Sequence, residues 1–262
     1  MDAQVIVGIC AVVATIVGAL IQRTWNWNRD RAPRRSESLE YGAIREGSAF
    51  SVHDLVKVLD LRESPSRGEE TTGVARLTDS YLIRRESNDG NGAIFLYSTS
   101  GELSGECVSH PTKHQWGEYA SGHMAVNRVI AVDLEHLAAK NMVRVTNEIV
   151  FRGAYDKRPQ ETFETHIERP VRSLTFVLIF DPAYPCSSAT GEAKLGRGQP
   201  RQLTGEHRPL VTQEGTMLYW RILPTKGKWL PTEANYILKW QWGPRKPAAA
   251  EVTPSSREAE GS

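Results

Sequence analysis

Four residues of the types that bind zinc lie close together in a polar stretch of the chain: Cys107, His110, His114 and His123. Zinc prefers thiolate and imidazole ligands, and a structural site needs four of them in tetrahedral geometry. The inner spacing is Cys-x2-His-x3-His, which matches no standard zinc finger. A metal-dependent enzyme is therefore kept only as an alternative. The sequence predicts no metal site and no cofactor.

No enzymatic motif supports the catalytic alternative. The chain contains no Gly-x-Ser-x-Gly elbow, no phosphate-binding glycine loop and no His-Glu-x-x-His. Carboxylates are numerous, but the sequence alone assigns no pair of them to one face. We therefore predict that the protein is not an enzyme and assign no catalytic residue.

Aromatic side chains crowd the last part of the chain and invite two interpretations. Aromatic rings can stack on a planar ligand or fill the core of a β-protein. Leu238, Trp240 and Trp242 occupy every second position of a predicted strand and therefore share one face, which favours the core interpretation. The pairs Arg84-Arg85 and Arg169 to Arg172 are interpreted as solvated faces. The aromatic cluster comprises Tyr219, Trp220, Trp229, Tyr236, Trp240 and Trp242.

Overall charge and cysteine content exclude several classes of protein. The formal net charge is +1 over 262 residues, so no general field attracts nucleic acid, and no nucleic-acid partner is expected. Three cysteines are too few for a disulfide framework, although Cys107 and Cys186 could pair. This composition fits a body in a reducing, cytosolic environment.

The first structural element predicted along the sequence is an apolar segment, residues 3–22. It carries no charge, and about twenty helical residues span roughly 30 Å, the thickness of the hydrocarbon core of a bilayer. A cleaved signal peptide is the alternative, but it requires positive charge before the apolar core and small residues at its end. The segment is preceded by Asp2 and ends Leu20-Ile21-Gln22. We therefore predict one transmembrane helix.

Charges after the apolar segment predict its orientation. Positively charged residues near a span favour the cytoplasmic side, and tryptophans favour the interface, as Trp25 and Trp27 would here. Small residues recur at Cys10, Ala14 and Gly18, a spacing that lets two helices approach closely and self-associate. The protein is therefore expected in the cell membrane with a cytoplasmic C-terminal body. The arginines are Arg23, Arg29, Arg31, Arg34 and Arg35.

The remaining chain divides into a linker, a β-rich body and a tail. Residues 23–47 are a basic juxtamembrane linker, residues 48–242 the body and residues 243–262 a disordered tail by composition. Alternation with period two and turn residues predict a mainly β, β-sandwich-like body, either one domain or two sub-sandwiches divided near residue 136. Strands are predicted at 55–61, 74–86, 93–98, 126–134, 142–155, 162–167, 171–180, 216–223 and 235–242.

Three further expectations concern the connections between these strands. The turn-rich sequence at 88–92 predicts a hairpin between the strands at 74–86 and 93–98. Residues 134–140 resemble a short helix. Residues 187–215 are interpreted as a polar loop with at most a short strand.

The later half of the body resembles a known family. The motifs are Arg169-Pro170-Val171-Arg172, Phe180-Asp181-Pro182 and Lys239-Trp240-Gln241-Trp242. They resemble a β-rich C-terminal domain of actinobacterial helix-turn-helix regulators of unknown function, over roughly residues 52–242. In this chain a membrane span takes the place of the DNA-binding module. The resemblance therefore implies a portable sensing or interaction domain.

These observations lead to one main functional hypothesis. The chain is expected to be a single-pass membrane protein whose cytosolic β-domain senses or binds a small molecule or a protein. Its expected partners are the lipid bilayer, a second copy through the membrane helix, and a ligand or protein of unknown identity. The alternative is a membrane-acting effector of a bacterial stress or defence system.

Overall fold

Long strands with alternating burial build the body of the protein, as a computed structural model shows. The structure describes residues 40–45, 50–64, 73–88, 90–99, 102–110, 112–121, 124–155 and 160–244, without the side chains of 40, 45, 119–121 and 124–127. Within these ranges the chain is mainly β, and its one helix is the 3-10 turn Gly205–His207. In chain order the strands are β1 (Glu40–Tyr41), β2 (Ile44–Arg45), β3 (Phe50–Asp60), β4 (Val74–Arg85), β5 (Gly92–Tyr97), β6 (Glu102–Cys107), β7 (His114–Ser121), β8 (Met124–Asp133), β9 (Met142–Arg152), β10 (Gln160–Ile167), β11 (Leu174–Ile179), β12 (Cys186–Leu195), β13 (Arg201–Gln202), β14 (Leu210–Val211), β15 (Met217–Ile222) and β16 (Ala234–Trp242).

A seven-stranded sheet forms the centre of the body, in the order β14-β15-β11-β3-β4-β9-β6. Its neighbours are antiparallel except for β3 and β11, which are parallel. The sheet therefore takes strands from both sides of residue 136. All described residues belong to one compact unit, residues 32–262.

Two smaller sheets complete the body. A four-stranded antiparallel sheet has the order β10-β16-β12-β13, and a three-stranded one has the order β5-β8-β7. The hairpin of β1 and β2 packs on the three-stranded sheet, because Ile44 forms a small core with Ile94, Val129 and Ala131. This hairpin lies within the range predicted as linker.

Aromatic rings join the four-stranded sheet to the seven-stranded sheet. Phe163 on β10 meets Phe176 on β11 edge to face at 5.7 Å between ring centroids. Phe176 stacks on Trp220 of β15 at 5.2 Å. The rings of Trp220 and Tyr236 also meet across the sheets. The same core cluster continues into the three-stranded sheet through Phe95 and Ile130.

Two predicted connections are wrong. The hairpin between the strands at 74–86 and 93–98 does not form, since both edges of β4 are occupied by β3 and β9. β5 pairs with β8 in another sheet instead. Residues 134–140 form turns rather than a helix.

The predicted polar loop at 187–215 is also corrected by the structure. It contains nearly all of the ten-residue strand β12, and also β13 and β14. β12 has few apolar residues because much of one face is exposed, so its sequence lacks the alternation that marks the other strands.

Several predictions lie outside the described residues. They concern the apolar segment 3–22, the linker up to residue 39, the tail from residue 245 and His123. Among the residues that are described, no helix has the length and apolar character needed to cross a bilayer.

Candidate functional site

A cavity of about 910 Å³ opens between the three sheets. One wall is the inner face of β3 and β4, a second is β5, and a third is β10 along its entire length. Leu55, Tyr81 and Phe95 contribute apolar and aromatic surface, while Lys57 and Glu161 contribute charge. Ligand sites are commonly concave, largely apolar and of this size, with a few placed polar groups.

Lys57 in the cavity wall belongs to a buried ion pair. Lys57 and Asp79 lie directly opposite each other on β3 and β4, and both face the core. Lys57 Nζ donates to Asp79 Oδ2 at 2.6 Å, and the two side chains are 8% and 0% exposed. Lys57 Nζ also lies 5.7 Å from the centre of the Phe163 ring. Each charge is held in the low-dielectric core by the other.

Phenol and amide groups extend this pair into a polar network. Tyr81 Oη donates to Asp79 Oδ2 at 2.9 Å, and Asn147 Nδ2 donates to Tyr97 Oη at 3.0 Å. Burial, followed by the negative charge of Asp79, raises the pKa of Tyr81 and of Tyr97 well above the ordinary value. Both phenols therefore stay neutral at physiological pH and act as fixed hydrogen-bonding groups.

Tyr155 and Glu161 form the second polar part of the cavity wall. Burial raises the pKa of Tyr155, and the charges of Glu161 and Asp79 raise it further. The Tyr155 ring lies 5.6 Å from that of Trp240. Glu161 is 9% exposed and faces inward from β10. The wall thus combines a neutral phenol, a carboxylate and aromatic surface.

Two strands that border the cavity are edge strands. β5 ends the three-stranded sheet and β10 ends the four-stranded sheet. The edge of β5 is covered by Arg169, whose Nη2 donates to the carbonyl oxygen of Ile94 at 2.6 Å. The guanidinium also lies 5.5 Å from the centre of the Phe95 ring. β10 pairs with β16 on one side, and no described strand pairs with its other side.

The residues considered as candidate metal ligands, Cys107, His110 and His114, are only partly brought together. Cys107 ends β6 and is fully buried, and its Sγ lies 4.0 Å from His110 Nδ1. His110 Nδ1 forms a hydrogen bond of 2.8 Å with Ser109 Oγ. His114 Nδ1 lies 3.0 Å from the carbonyl oxygen of His110. Within the described residues, no three His, Cys, Asp or Glu side chains are arranged to share a metal ion.

The two body cysteines do not pair. Cys107 and Cys186 are both free and buried. Burial raises the pKa of Cys186 to about 11, so its thiol stays protonated at neutral pH.

The core interpretation of the aromatic cluster is confirmed for its central members. Trp220, Trp240 and Tyr236 are buried, and Trp242 packs against the core from a half-buried position. Trp229 is also half-buried, and its ring meets that of His53 at 5.3 Å. Tyr219 is half-buried on the other face of β15.

One of the basic clusters is not a solvated face. Arg85 is 5% exposed, and its guanidinium donates to the carbonyl oxygens of Gly90 at 2.7 Å and of Leu137. It therefore holds the turns after β4 and β8. In the second cluster Arg172 is exposed as expected, but Arg169 is half-buried and donates to the carbonyl oxygen of Ile94.

Sequence reasoning missed Lys57, Asp79 and Glu161. For Lys57 the available signal was its position in the alternating pattern of the strand. Lys57 lies on the same face as Leu55 and Leu59, which the alternation assigns to the core. A lysine in that position requires a buried partner, but only the register of β3 against β4 identifies it as Asp79.

The fold and the cavity define a mainly β protein with a partly polar cavity at the junction of three sheets. No family model and no curated protein matches the chain. Among solved structures, a provisionally assigned protease from Parabacteroides distasonis has a TM-score of 0.45 at 8% identity, covering 74% of this chain and 41% of that one. Native yeast LTA4 hydrolase has a TM-score of 0.39 at 9% identity, covering 79% and 32%.

A third similar structure is a provisionally assigned nutrient-binding protein from Legionella pneumophila. It has a TM-score of 0.40 at 8% identity and covers 79% of this chain and 71% of that one. The chain thus spans less than half of the first two proteins. Similarity at this level assigns neither an activity nor a ligand.

Proposed function

We propose that the chain is a single-pass membrane protein whose β-sandwich-like body is a cytoplasmic binding module. The observation that carries the proposal is the cavity of about 910 Å³ whose wall contains Lys57, the cationic member of a buried ion pair with Asp79. A buried ion pair contributes little net stability compared with apolar side chains of the same volume. Its position beside a cavity is better explained by recognition of a bound group.

The polar groups of the cavity favour binding over catalysis. The tyrosines have raised pKa values and stay neutral, so none of them is poised to exchange a proton near neutral pH. Lys57 is engaged by Asp79. The resemblance to the β-rich C-terminal domain of actinobacterial helix-turn-helix regulators of unknown function, which implies a sensing or interaction domain, supports the same interpretation, with the proposed membrane anchor in place of the DNA-binding part.

Cross-linking in cells tests whether the cavity is a binding site. A photoreactive benzophenone amino acid is placed at Thr162, which lines the cavity, and as a control at Glu148, exposed on β9. We expect a discrete adduct at position 162 and none at position 148. Equal labelling at both positions, or none at either, contradicts the proposal of a binding module.

The membrane arrangement has its own test. Residues 3–22 are proposed to span the membrane, with Arg23 to Arg35 holding the body in the cytoplasm. A reporter fused after Ser262 is expected to be active only if it functions in the cytoplasm. Activity of a periplasmic or extracellular reporter at that position contradicts the orientation. Gly18→Leu is expected to reduce cross-linking between two copies if the anchors pair.

A further inference from the structure

The outer edge of β10 offers main-chain groups along the length of the cavity. Ile167 accepts a hydrogen bond from the main-chain N–H of Glu233 at 2.8 Å, so its carbonyl faces β16. In an antiparallel ladder, successive residues direct their main-chain groups to opposite sides. The main-chain groups of Thr162, Glu164 and His166 therefore face away from β16. No described residue hydrogen-bonds to them.

The two faces of β10 differ in character along this edge. Phe163, Thr165 and Ile167 are buried and face the core, whereas Thr162 and Glu164 are exposed. A strand added beside β10 would follow the same alternation. Every second side chain would enter the cavity against Leu55, Tyr81 and Phe95, and the others would face solvent.

The solvent-facing side of the edge favours a basic side chain. Glu164 lies opposite Ile237 of β16, which offers no charge. The nearby ammonium of Lys239 is already paired with Glu192 at 2.7 Å. Opposite charges on neighbouring strands attract each other. The carboxylate of Glu164 is therefore available to a lysine or arginine of an added strand.

We infer that the edge of β10 binds an extended segment of a partner protein, in which apolar residues alternate with basic ones. This inference rests on the proposed binding module and specifies its ligand. The segment adds as a fifth strand to the four-stranded sheet, a known mode of peptide recognition. The eight residues of β10 span about 26 Å, so roughly six to eight residues of the partner can pair. β10 is preferred to β5 as the acceptor, because Arg169 already hydrogen-bonds to the carbonyl oxygen of Ile94 at the edge of β5.

Synthetic peptides test the main-chain part of the inference. The probe is a fluorescein-labelled octapeptide of alternating valine and lysine, capped at both ends, with the full-length protein in detergent. Two variants carry N-methyl groups on the amides of either all valines or all lysines. Because a strand directs alternate amides to opposite sides, only one pattern blocks pairing with β10. We expect about a tenfold loss of affinity for one pattern and little change for the other.

Variants of the protein test the location. Glu164→Pro removes an N–H from the free edge, where proline is tolerated, and is expected to abolish binding while the Tm stays within a few degrees. Glu164→Gln keeps the N–H and is expected only to reduce the preference for the valine–lysine peptide over a valine–glutamate peptide. If Glu164→Pro lowers the Tm strongly, the difference in affinity between the two N-methylated peptides still shows whether the peptide pairs as a strand.

Four outcomes overturn the inference. Three concern the peptides: equal affinity for both N-methylated peptides, no binding of any peptide, and full binding to Glu164→Pro. The fourth is that a second copy of the chain occupies the edge, detected as a dimer by light scattering. None of them refutes the binding module, which stands if Thr162 is cross-linked to a small molecule.

Discussion

Lys57 Nζ lies 2.6 Å from Asp79 Oδ2, and the two residues face each other on neighbouring strands in the interior of the body. The rings of Tyr81 and Phe163 lie 6.0 and 5.7 Å from the ammonium, and the Tyr81 hydroxyl donates to Asp79. Each charge compensates the other, so neither residue could stay charged and buried without its partner. Mutations of the two residues should therefore be strongly coupled.

Removing one member of this pair should cost more stability than removing both. Lys57→Met leaves the Asp79 carboxylate buried without its counter-charge, and we expect a loss of about 3–5 kcal/mol in the free energy of unfolding. The double variant Lys57→Met with Asp79→Asn should recover much of this loss, because no uncompensated charge remains. Urea denaturation of the four proteins of this cycle measures the coupling.

Additive losses in the cycle would contradict this account. Arg76→Gln with Glu63→Gln is the matched control, since that pair is exposed and its atoms are 3.4 Å apart. Exposed pairs contribute little, so its coupling should stay below about 1 kcal/mol.

Nine of the sixteen described strands could be predicted from the sequence, because alternation and turn residues are local properties. The strands β1, β2, β6, β7, β12, β13 and β14 were not predicted. The predicted strand at 74–86 begins with β4 at Val74, and the one at 235–242 matches β16 within one residue. Strand pairing could not be predicted in the same way. The turn at 88–92 brings β4 and β5 near each other in sequence, but β4 has no free edge for β5.

The cavity was beyond sequence reasoning for the same physical reason. Its walls come from β3 (Phe50–Asp60), β4, β5 and β10 (Gln160–Ile167), which are far apart in sequence, so their proximity depends on the arrangement of sheets. The cluster around Cys107, for which no metal site was predicted, shows that proximity in sequence does not by itself create a metal site. His114 Nδ1 lies 3.0 Å from the carbonyl oxygen of His110, and no three His, Cys, Asp or Glu side chains of the described residues are arranged to share a metal ion.

Gly191 should not tolerate a side chain, because β12 lies directly against an aromatic ring. A Cβ at this position would lie 2.4 Å from Cζ2 of Trp220. We expect Gly191→Ala to lower the free energy of unfolding by about 1–3 kcal/mol through overpacking. Trp220→Phe should reduce the effect of Gly191→Ala by removing part of the ring. Equal effects of Gly191→Ala in both backgrounds would show that the strain arises elsewhere.

The hairpin of β1 and β2 should stabilise the body although it precedes the central sheet. Ile44 is 4% exposed, and a Cβ on Gly92 would lie 2.5 Å from its Cγ2, which shows how closely the hairpin packs. A fragment of residues 40–244 should therefore fold as a mainly β domain and unfold at higher temperature than residues 47–244. Ile44→Ala in the longer fragment should cost about 2 kcal/mol or more.

Circular dichroism and thermal unfolding of both fragments measure this difference. Ala43→Ser is the matched control, because Ala43 is exposed and adjacent to Ile44. Equal stability of the two fragments would mean that the hairpin packs without supporting the sheet.

His53 should make the stability of the body sensitive to mild acid. Burial is the main reason that the pKa of His53 falls to about 4, and the positive charges of Arg84 and Arg172 lower it further. The unfolded chain binds a proton at about pH 6.5, so between pH 6.5 and 4 it binds more protons than the folded chain, and stability falls as the pH falls. The contribution is fully present above pH 6.5. At full burial the shift corresponds to about 3 kcal/mol, and solvent screening of this half-buried ring reduces the expected loss to on the order of 1 kcal/mol.

The change that tests this prediction is His53→Gln, which keeps a polar side chain without a titrating group. Thermal unfolding of this variant should decline less between pH 6.5 and 4 than that of the wild type, while the two curves run in parallel above pH 7. His166→Gln serves as the control, because His166 lies on the exposed face of β10. If His53→Gln and the wild type lose stability in parallel through the acid range, His53 has the same pKa in the folded and the unfolded chain, and another group causes the acid sensitivity.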